Sequence, residues 1–242
     1  MGNRLAGRNG GRLGVAALVA ILLLGLGLRL GEAWDGRAPV YDASAYAAIA
    51  ANLDRGDGFT VGPAATQPSS NYSPGLPLLL AGLYEVTGGV HERAARVLLA
   101  LIGTLAVLFT YLIGRRLARS KTLGGHEGRN SSGVVAGLIG AAAVAIYPAL
   151  LEYQGMTMGE PLATTLLAGA VLSIFWARDR GAPWRWLASG GLLGALTLVR
   201  PEYLAVSLLL AIVVFAVDAR GNWRRALVQA AILLAGLVVV LA

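Results

Sequence analysis

Long apolar runs constrain this sequence more than any other feature. A helix needs about 20 mostly apolar residues to cross the hydrocarbon core of a membrane. The runs that approach this length are Leu13–Leu30, Ala94–Gly114, Gly133–Leu150, Pro161–Ala177, Trp184–Val199, Tyr203–Val217 and a last one that begins near Ala226. They predict an all-α polytopic membrane protein with about seven transmembrane helices.

The composition agrees with this prediction. Hydrophobic residues make up 56% of the chain and charged residues 14%, and the mean hydropathy is +0.65. Soluble domains average about 45–50% apolar and about 25% charged residues. The chain has no cysteine, which excludes disulfides and thiolate metal sites. Its two histidines, His91 and His126, are too few for a His-rich metal cage.

The first apolar run, residues 13–30, follows a short basic tail, residues 1–12. A secretory signal peptide is the alternative reading, but its apolar region is shorter and ends at a small-residue cleavage site. The following sequence, GLRLGEAWDG, is a poor cleavage site. Residues 13–30 are therefore predicted to form an uncleaved first transmembrane helix.

Most of the 20 basic residues lie in four clusters between the apolar runs. The clusters are Arg4, Arg8 and Arg12; Arg115, Arg116, Arg119, Lys121 and Arg129; Arg178, Arg180 and Arg185; and Arg220, Arg224 and Arg225. Alternating crossings place all four on one side of the membrane, which the positive-inside rule makes cytoplasmic. The net charge of +7 is therefore a topology signal, and no nucleic-acid partner is expected.

Residues 31–93 form the longest polar segment and are predicted to be a structured outer loop. Connections of this length are uncommon unless they have a function. Within it, DASAYAAIAANLDRG places apolar residues at helical spacing. This pattern predicts a helix that starts at Asp42 or Ser44 and ends at Gly56 and Gly58.

The rest of the chain follows from the apolar pattern. Residues 76–86 are too short to span a membrane and are predicted to form a second short helix at its interface. Residues 94–242 hold the predicted transmembrane helices two to seven. The last run reaches Ala242 without a polar flank, whereas spanning helices normally end in interfacial or charged residues. We therefore expect a longer natural protein.

Asp42 has two compatible interpretations. It is an ordinary N-cap, and an acidic group in the first turn also suits the helix dipole. A carboxylate held beside a helix start at a membrane surface is also suited to act as a general base toward a hydroxyl or amine.

Five motifs follow one another on this topology: YDASAYAAIAANLDRGDGF, NYSPGLPLLLAGLYEVTGG, HERAARVLLALIGTLAVLFTYLIGRRL, YPALLEYQGMTMGEPLATTLL and GALTLVRPEY. Together they extend over most of residues 13–205. In this order they resemble the GT-C superfamily of membrane glycosyltransferases, in particular the protein O-mannosyltransferases and their bacterial lipid-modifying relatives.

The resemblance implies a GT-C-type helical bundle and an inverting glycosyl transfer at the outer face of a membrane, in bacteria the cytoplasmic membrane. The donor is a sugar linked to a polyprenyl phosphate or diphosphate, and the acceptor is a lipid, glycan or protein. Asp42 matches the family's presumed catalytic base in the first outer loop. Many members have a second acidic residue directly after it, where this chain has Ala43, so the sugar and the acceptor stay open.

Arg200 and Glu160 are two further site candidates. Arg200 lies between two apolar runs, directly before a helix-breaking proline, Pro201, and interrupted helices at membrane depth usually line a buried cavity. Its guanidinium suits the leaving phosphate, but it also suits a snorkelling position or a partner such as Glu202 or Glu160. Glu160 is either a favourable charge in a first helical turn or the match to an acidic residue of the family's second outer loop.

For the other candidate site residues, the surrounding sequence is less informative about their role. Tyr46 and Arg96 are candidates for the donor side of the site, and Arg96 alternatively pairs with an acid or anchors its helix. Tyr72 is a candidate for the acceptor side, or part of a rigid proline-rich loop. Glu152 is a second candidate for the position assigned to Glu160. No metal site is predicted, although a divalent cation between Asp42 and Glu160 stays open.

Two other classes of function remain open. A secondary transporter also has short broken helices near the midplane, together with an internal repeat, which this sequence does not display. A non-catalytic membrane scaffold related to the same enzymes is the other alternative.

Overall fold

The computed structural model describes residues 2–36, 42–62, 68–118 and 128–242. Arg119, Lys121, His126 and loop residues 63–67 lie outside the described residues. Within those ranges the regular structure is α-helical, with one isolated bridge between Thr60 and Pro68. The helices are α1 (Gly2–Asp35), α2 (Asp42–Asp54), α3 (Gly75–Thr87), α4 (Glu92–Leu117), α5 (Gly128–Ala145), α6 (Pro148–Gly155), α7 (Glu160–Arg180), α8 (Pro183–Val199) and α9 (Tyr203–Leu241).

Several of these helices have the length and apolarity to cross a membrane. Four qualify individually: Arg12–Asp35 within α1, α4, Glu160–Asp179 within α7, and α9. The bent pair α5 and α6 makes a fifth if it is one span. The outward surfaces of these helices expose many large apolar side chains, such as Leu23, Ile139 and Val239. The chain is therefore an all-α integral membrane protein, as the apolar runs predict.

The expected span Gly133–Leu150 is not one straight helix. It ends as α5 at Ala145, and Ser132–Ala145 and Pro148–Gly155 meet at an angle of 43°. Pro148 lacks the backbone N–H that would continue the helix, and it forces the preceding residue toward an extended conformation. Tyr147 has that conformation, with φ −66° and ψ 114°.

A buried arginine satisfies the carbonyls that this break leaves free. Arg29 of α1 is 1% exposed. Its guanidinium donates to the Ala145 carbonyl at 3.1 Å and to the Val144 carbonyl at 3.0 Å. It also donates to the Gly25 carbonyl in its own helix at 3.0 Å. In the apolar interior each unpaired carbonyl is costly, so Arg29 stabilises the broken end of α5.

Small residues bring the helices into close contact. A Cβ at Gly190 of α8 would lie 1.9 Å from the Leu233 carbonyl oxygen of α9, and one at Gly236 of α9 would lie 2.2 Å from the Leu187 carbonyl oxygen of α8. A Cβ at Gly137 of α5 would lie 2.6 Å from the Tyr111 carbonyl oxygen of α4. The glycine-rich runs therefore serve helix packing, which is the usual role of small residues in membrane helices.

The two short helices of the loop pack against the bundle. Leu76, Leu80 and Tyr84 of α3 are buried in the same apolar cluster as Ala50 of α2 and Val199 of α8. At the start of α3, a Cβ on Gly75 would lie 2.7 Å from the Val199 backbone nitrogen. The absence of a side chain at Gly75 thus lets the loop before α3 reach the C-terminal end of α8.

Arginines gather at one end of the bundle. Arg116 at the end of α4 pairs with Asp179 at the end of α7, and Arg178 pairs with Asp218 of α9 at 2.6 Å. The start of α8 lies at the same end, where Arg185 stacks on Trp176, 4.0 Å from its ring centroid. Aromatic and basic side chains together are typical of a membrane–water interface.

Candidate functional site

The first residues of α2 form one side of the candidate site. Asp42 is the first residue of the helix and is exposed, so its carboxylate lies in the turn that the helix dipole favours. Tyr46 follows one turn later on the same face. The Asp42 charge acts on the Tyr46 phenol.

The loop before α3 covers the Tyr46 ring. Tyr72 packs against it edge to face, with ring centroids 5.8 Å apart and an interplanar angle of 77°. The Ser73 side chain forms a hydrogen bond with the Tyr46 side chain. The close approach at Gly75 fixes this loop against α8. The predicted donor-side Tyr46 and acceptor-side Tyr72 are therefore direct neighbours.

Arg200 lies in the short break between α8 and α9. Its guanidinium forms ion pairs with Glu160 at the start of α7 and with Glu202, the latter at 3.0 Å. The Arg200 side chain is 30% exposed, the Glu160 side chain 19% and the Glu202 side chain 60%. The pairing that the sequence left open thus includes both carboxylates.

The charges of these separate segments meet at Tyr46. Burial raises the pKa of the Tyr46 phenol, and the Asp42 and Glu160 carboxylates raise it further, while Arg200 and the Ser73 hydrogen bond act in the opposite direction. Burial lowers the pKa of Arg200, but its two carboxylate neighbours outweigh that effect, so the pKa of Arg200 lies above its ordinary value. Arg200 is therefore permanently cationic.

A cavity of ≈ 300 Å³ opens beside the Arg200–Glu160 pair. It is lined by Leu150, Tyr153, Glu160, Ala163, Thr164, Arg200, Glu202 and Tyr203. One carboxylate oxygen of Glu160, Oε2, is buried and has no hydrogen-bond partner among the described residues. A buried acceptor without a partner is costly, so Glu160 carries an unsatisfied carboxylate oxygen beside the cavity.

Arg96 and Glu152 lie in other surroundings. The Arg96 Nε donates to the Ala33 carbonyl of α1 at 3.0 Å, and its guanidinium pairs with Glu92 at 3.5 Å. The Arg96 carbonyl accepts from the Gln154 side chain of α6 at 2.8 Å. Arg96 thus ties α4 to α1 and α6 and also pairs with an acid. Glu152 is exposed on α6.

Three residues around the site were not found from the sequence. Tyr153 and Tyr203 line the cavity, and Ser73 bonds to Tyr46. Tyr203 follows Arg200 by three residues, which places it in the turn around the helix break. Its proximity to Arg200 could therefore have been predicted from the sequence. Ser73 and Tyr153 carry no such signal, because their positions depend on the packing of distant segments.

The described part of the chain contains no group of three or more His, Asp or Glu side chains placed to hold a metal ion. The two carboxylates that the sequence offers for a divalent cation, Asp42 and Glu160, both act on the Tyr46 phenol. Comparison with protein-family models and with curated proteins finds no match to this sequence.

Proposed function

We propose that this chain is a membrane glycosyltransferase that moves a sugar from a polyprenyl-phosphate-linked donor to a lipid, glycan or protein acceptor. One observation carries the proposal. Three segments that are distant in sequence from α2 meet its Tyr46, so that the Asp42 carboxylate and the Arg200 guanidinium both act on the same phenol, and Arg200 also lines a cavity. The ordered motifs that resemble the GT-C superfamily support the same activity.

The chemistry uses these groups in one displacement step. The acceptor oxygen or nitrogen attacks the anomeric carbon of the donor sugar and forms the new glycosidic bond. Asp42 takes the proton that the acceptor loses. The bond between the anomeric carbon and the phosphate oxygen breaks, and its electron pair leaves with the polyprenyl phosphate. Arg200 stabilises that negative charge through its guanidinium.

The carboxylates around Arg200 have different roles in this scheme. Glu160 is the more buried partner and holds the guanidinium in place, which makes it a positioning residue. Glu202 is the more exposed partner, at 60%, and is the one that a donor phosphate displaces. Tyr46 and Tyr72 form an aromatic pair one turn after Asp42, against which a sugar ring packs.

The membrane arrangement follows the same proposal. Asn222, with φ −155° and ψ 100°, divides the 39-residue α9 into two helical segments, each long enough for a span. With α8 as a short span and α5–α6 as a broken one, seven crossings result, as in a GT-C-type bundle. The arginine-rich end is then cytoplasmic, and the Asp42 end faces outward, in bacteria across the cytoplasmic membrane.

Transport is the alternative that one observation favours, because α5–α6 is a broken helix with an arginine at depth. The space beside that arginine argues against it. The gap lined by Arg29, Gly103 and Leu150 has ≈ 0 Å³ of room for water, and both terminal guanidinium nitrogens of Arg29 already donate to carbonyls. The break therefore serves the structure of the bundle rather than a substrate path.

The test is sugar transfer by the full-length protein in membranes with a panel of polyprenyl-phosphate sugars. Asp42→Asn removes the base and is expected to lower the rate by about 10²–10⁴-fold. Asp57→Asn is the matched control, since Asp57 is an exposed carboxylate of the same loop that pairs with Arg55 at 3.1 Å. Equal transfer rates for Asp42→Asn and Asp57→Asn would contradict the role of Asp42 as the base. An inactive wild type with every donor would favour a scaffold.

A further inference from the structure

A charged cavity among the described residues lies at the opposite end of the bundle from Asp42. It has a volume of ≈ 740 Å³ and lies between the ends of α4 and α7 and the middle of α9. Its charged lining residues are Arg116, Arg178, Arg225, Asp179 and Asp218. Three arginines against two aspartates leave this cavity with a net positive charge.

The ion pairs show where that excess charge lies. Arg116 is paired with Asp179 and Arg178 with Asp218. Within the described ranges, Arg225 has no carboxylate within ion-pair distance. Its Nε donates instead to the amide oxygen of Gln229 at 3.3 Å, when that amide is oriented so that its nitrogen donates to Asp218 at 3.2 Å.

An apolar groove adjoins this cavity at Arg116. It has a volume of ≈ 470 Å³, lies between α4, α7 and α8, and includes Phe109, Leu166, Gly169, Leu172 and Leu192 in its lining. Arg116 lines both the groove and the charged cavity. A cationic pocket and an apolar groove therefore adjoin at Arg116.

We propose that the charged cavity and the groove together bind one anionic phospholipid of the surrounding membrane. The phosphate lies among Arg116, Arg178 and Arg225, and an acyl chain occupies the groove beside Phe109 and Leu192. Basic pockets between helices on the cytoplasmic side are known to take anionic lipid headgroups. Charge complementarity favours an anionic headgroup over a zwitterionic one, and the adjoining groove favours a lipid over a water-soluble phosphate.

This site is separate from the proposed transfer site. It uses none of the residues around Asp42, and its arginines belong to the end of the bundle that the positive-inside rule makes cytoplasmic. If the lipid site proved wrong, the proposed sugar transfer would be unaffected. If the proposed sugar transfer proved wrong, the lipid site would be unaffected.

The experiment measures lipid binding to the purified full-length protein by native mass spectrometry. Dioleoyl phosphatidylglycerol is titrated against dioleoyl phosphatidylcholine. The wild type is expected to prefer phosphatidylglycerol. Arg225→Gln is expected to weaken phosphatidylglycerol binding about tenfold or more, because a charge-assisted hydrogen bond is lost.

Arg224→Gln is the matched control. Arg224 is adjacent in the same helix, is exposed, and stacks on Trp223 instead of lining the cavity. It removes the same charge and should leave binding unchanged. Arg225→Lys keeps the charge and should restore most of the binding, which separates a lost contact from a misfolded protein. Equal losses for Arg224→Gln and Arg225→Gln would overturn the site, as would equal binding of the two lipids.

A third arm tests the groove. The deacylated headgroup glycerophosphoglycerol and inorganic phosphate carry the charge without the chain, and both should compete poorly with phosphatidylglycerol. Competition by either one at the same concentration as the lipid would show that the groove contributes nothing and would refute the proposed lipid.

Discussion

At the scale of single residues, the site depends on side chains whose roles are set by their neighbours. Arg200 is held by Glu160 and Glu202, and Tyr46 is covered by Tyr72 and bonded by Ser73. An arginine in a helix break binds a phosphate well only if its N–H donors are held in a fixed orientation. Glu160 and Glu202 hold the Arg200 guanidinium in this way.

Arg200→Gln is expected to raise the KM for the polyprenyl-phosphate donor by about 10–100-fold, because a charge-assisted contact with the phosphate is worth about 1.5–3 kcal/mol. Arg200→Lys keeps the charge but loses the planar fork, so an intermediate value is expected. The measurement is steady-state kinetics in membranes. Arg55→Gln, which removes an exposed arginine of the loop after α2, is the control and should leave KM unchanged. A KM unchanged in Arg200→Gln would contradict the phosphate contact.

The buried Tyr84 gives a pH-dependent prediction. Burial raises the pKa of its phenol, with the nearby Glu92 as a second cause. A raised pKa in the folded state means that stability is full below the ordinary tyrosine pKa of about 10 and falls as pH rises through the higher folded value. The wild type should therefore lose thermal stability above pH ~10.

Tyr84→Phe should lose less stability over that pH interval, because it removes the group that must ionise. The check is the apparent Tm in detergent between pH 9 and 11, with the exposed Tyr147→Phe as control. A slope in Tyr84→Phe as steep as in the wild type would refute the assignment to Tyr84.

The positions of the site residues relative to helix ends could be predicted from local sequence, but the contacts between these residues could not. Asp42 at a helix start, Glu160 before Pro161 and Arg200 before Pro201 all follow from local signals. That Glu160 pairs with Arg200 depends on how α7 and α8 pack, and no pattern in either segment encodes it. Arg29 was visible as a charge inside an apolar run, yet its partners are carbonyls of a helix break that the apolar pattern did not predict.

At the scale of elements, prolines and glycines determine where helices end and how closely they pack. Pro148, Pro161, Pro183 and Pro201 lie at or next to helix boundaries. Three of these boundaries agree with the apolar runs. The run Gly133–Leu150 did not reveal its own break, because Pro148 lies near its end and the residues on both sides remain apolar.

Helix packing gives the prediction at this scale. Gly190→Ala places a Cβ 1.9 Å from the Leu233 carbonyl oxygen, so α8 and α9 must separate, which costs about 1–3 kcal/mol or more. Gly27→Ala in α1 meets nothing within 4 Å and is the matched control. The apparent Tm in detergent should fall for Gly190→Ala and not for Gly27→Ala. Equal values would contradict the close contact of α8 and α9.

At the scale of the whole molecule, charge separates the two ends of the bundle. One end carries Arg116, Arg178 and Arg225, and the other carries Asp42, Glu160 and Arg200. The apolar runs predict the helical bundle and its arginine-rich end. The meeting of α2, α7 and the α8–α9 break is a property of the assembled chain, since no two of these segments are close in sequence.

The orientation can be tested directly because the chain has no native cysteine. Asp57→Cys in the outer loop is expected to react with a membrane-impermeant maleimide on intact cells. Arg224→Cys, at the opposite end, should react only after the cells are permeabilised. The reverse pattern would contradict the proposed sidedness and move the transfer site to the cytoplasm.

The anomeric configuration of the first sugar product tests the central claim most directly. If Asp42 acts as a base for a single displacement, the acceptor attacks from the face opposite the departing phosphate, and the product has the inverted configuration. NMR of the purified product reports this configuration through the coupling constants of the anomeric carbon and proton. Inversion is the predicted result. Retention would exclude a single displacement from the opposite face and would contradict the role of Asp42 as its base.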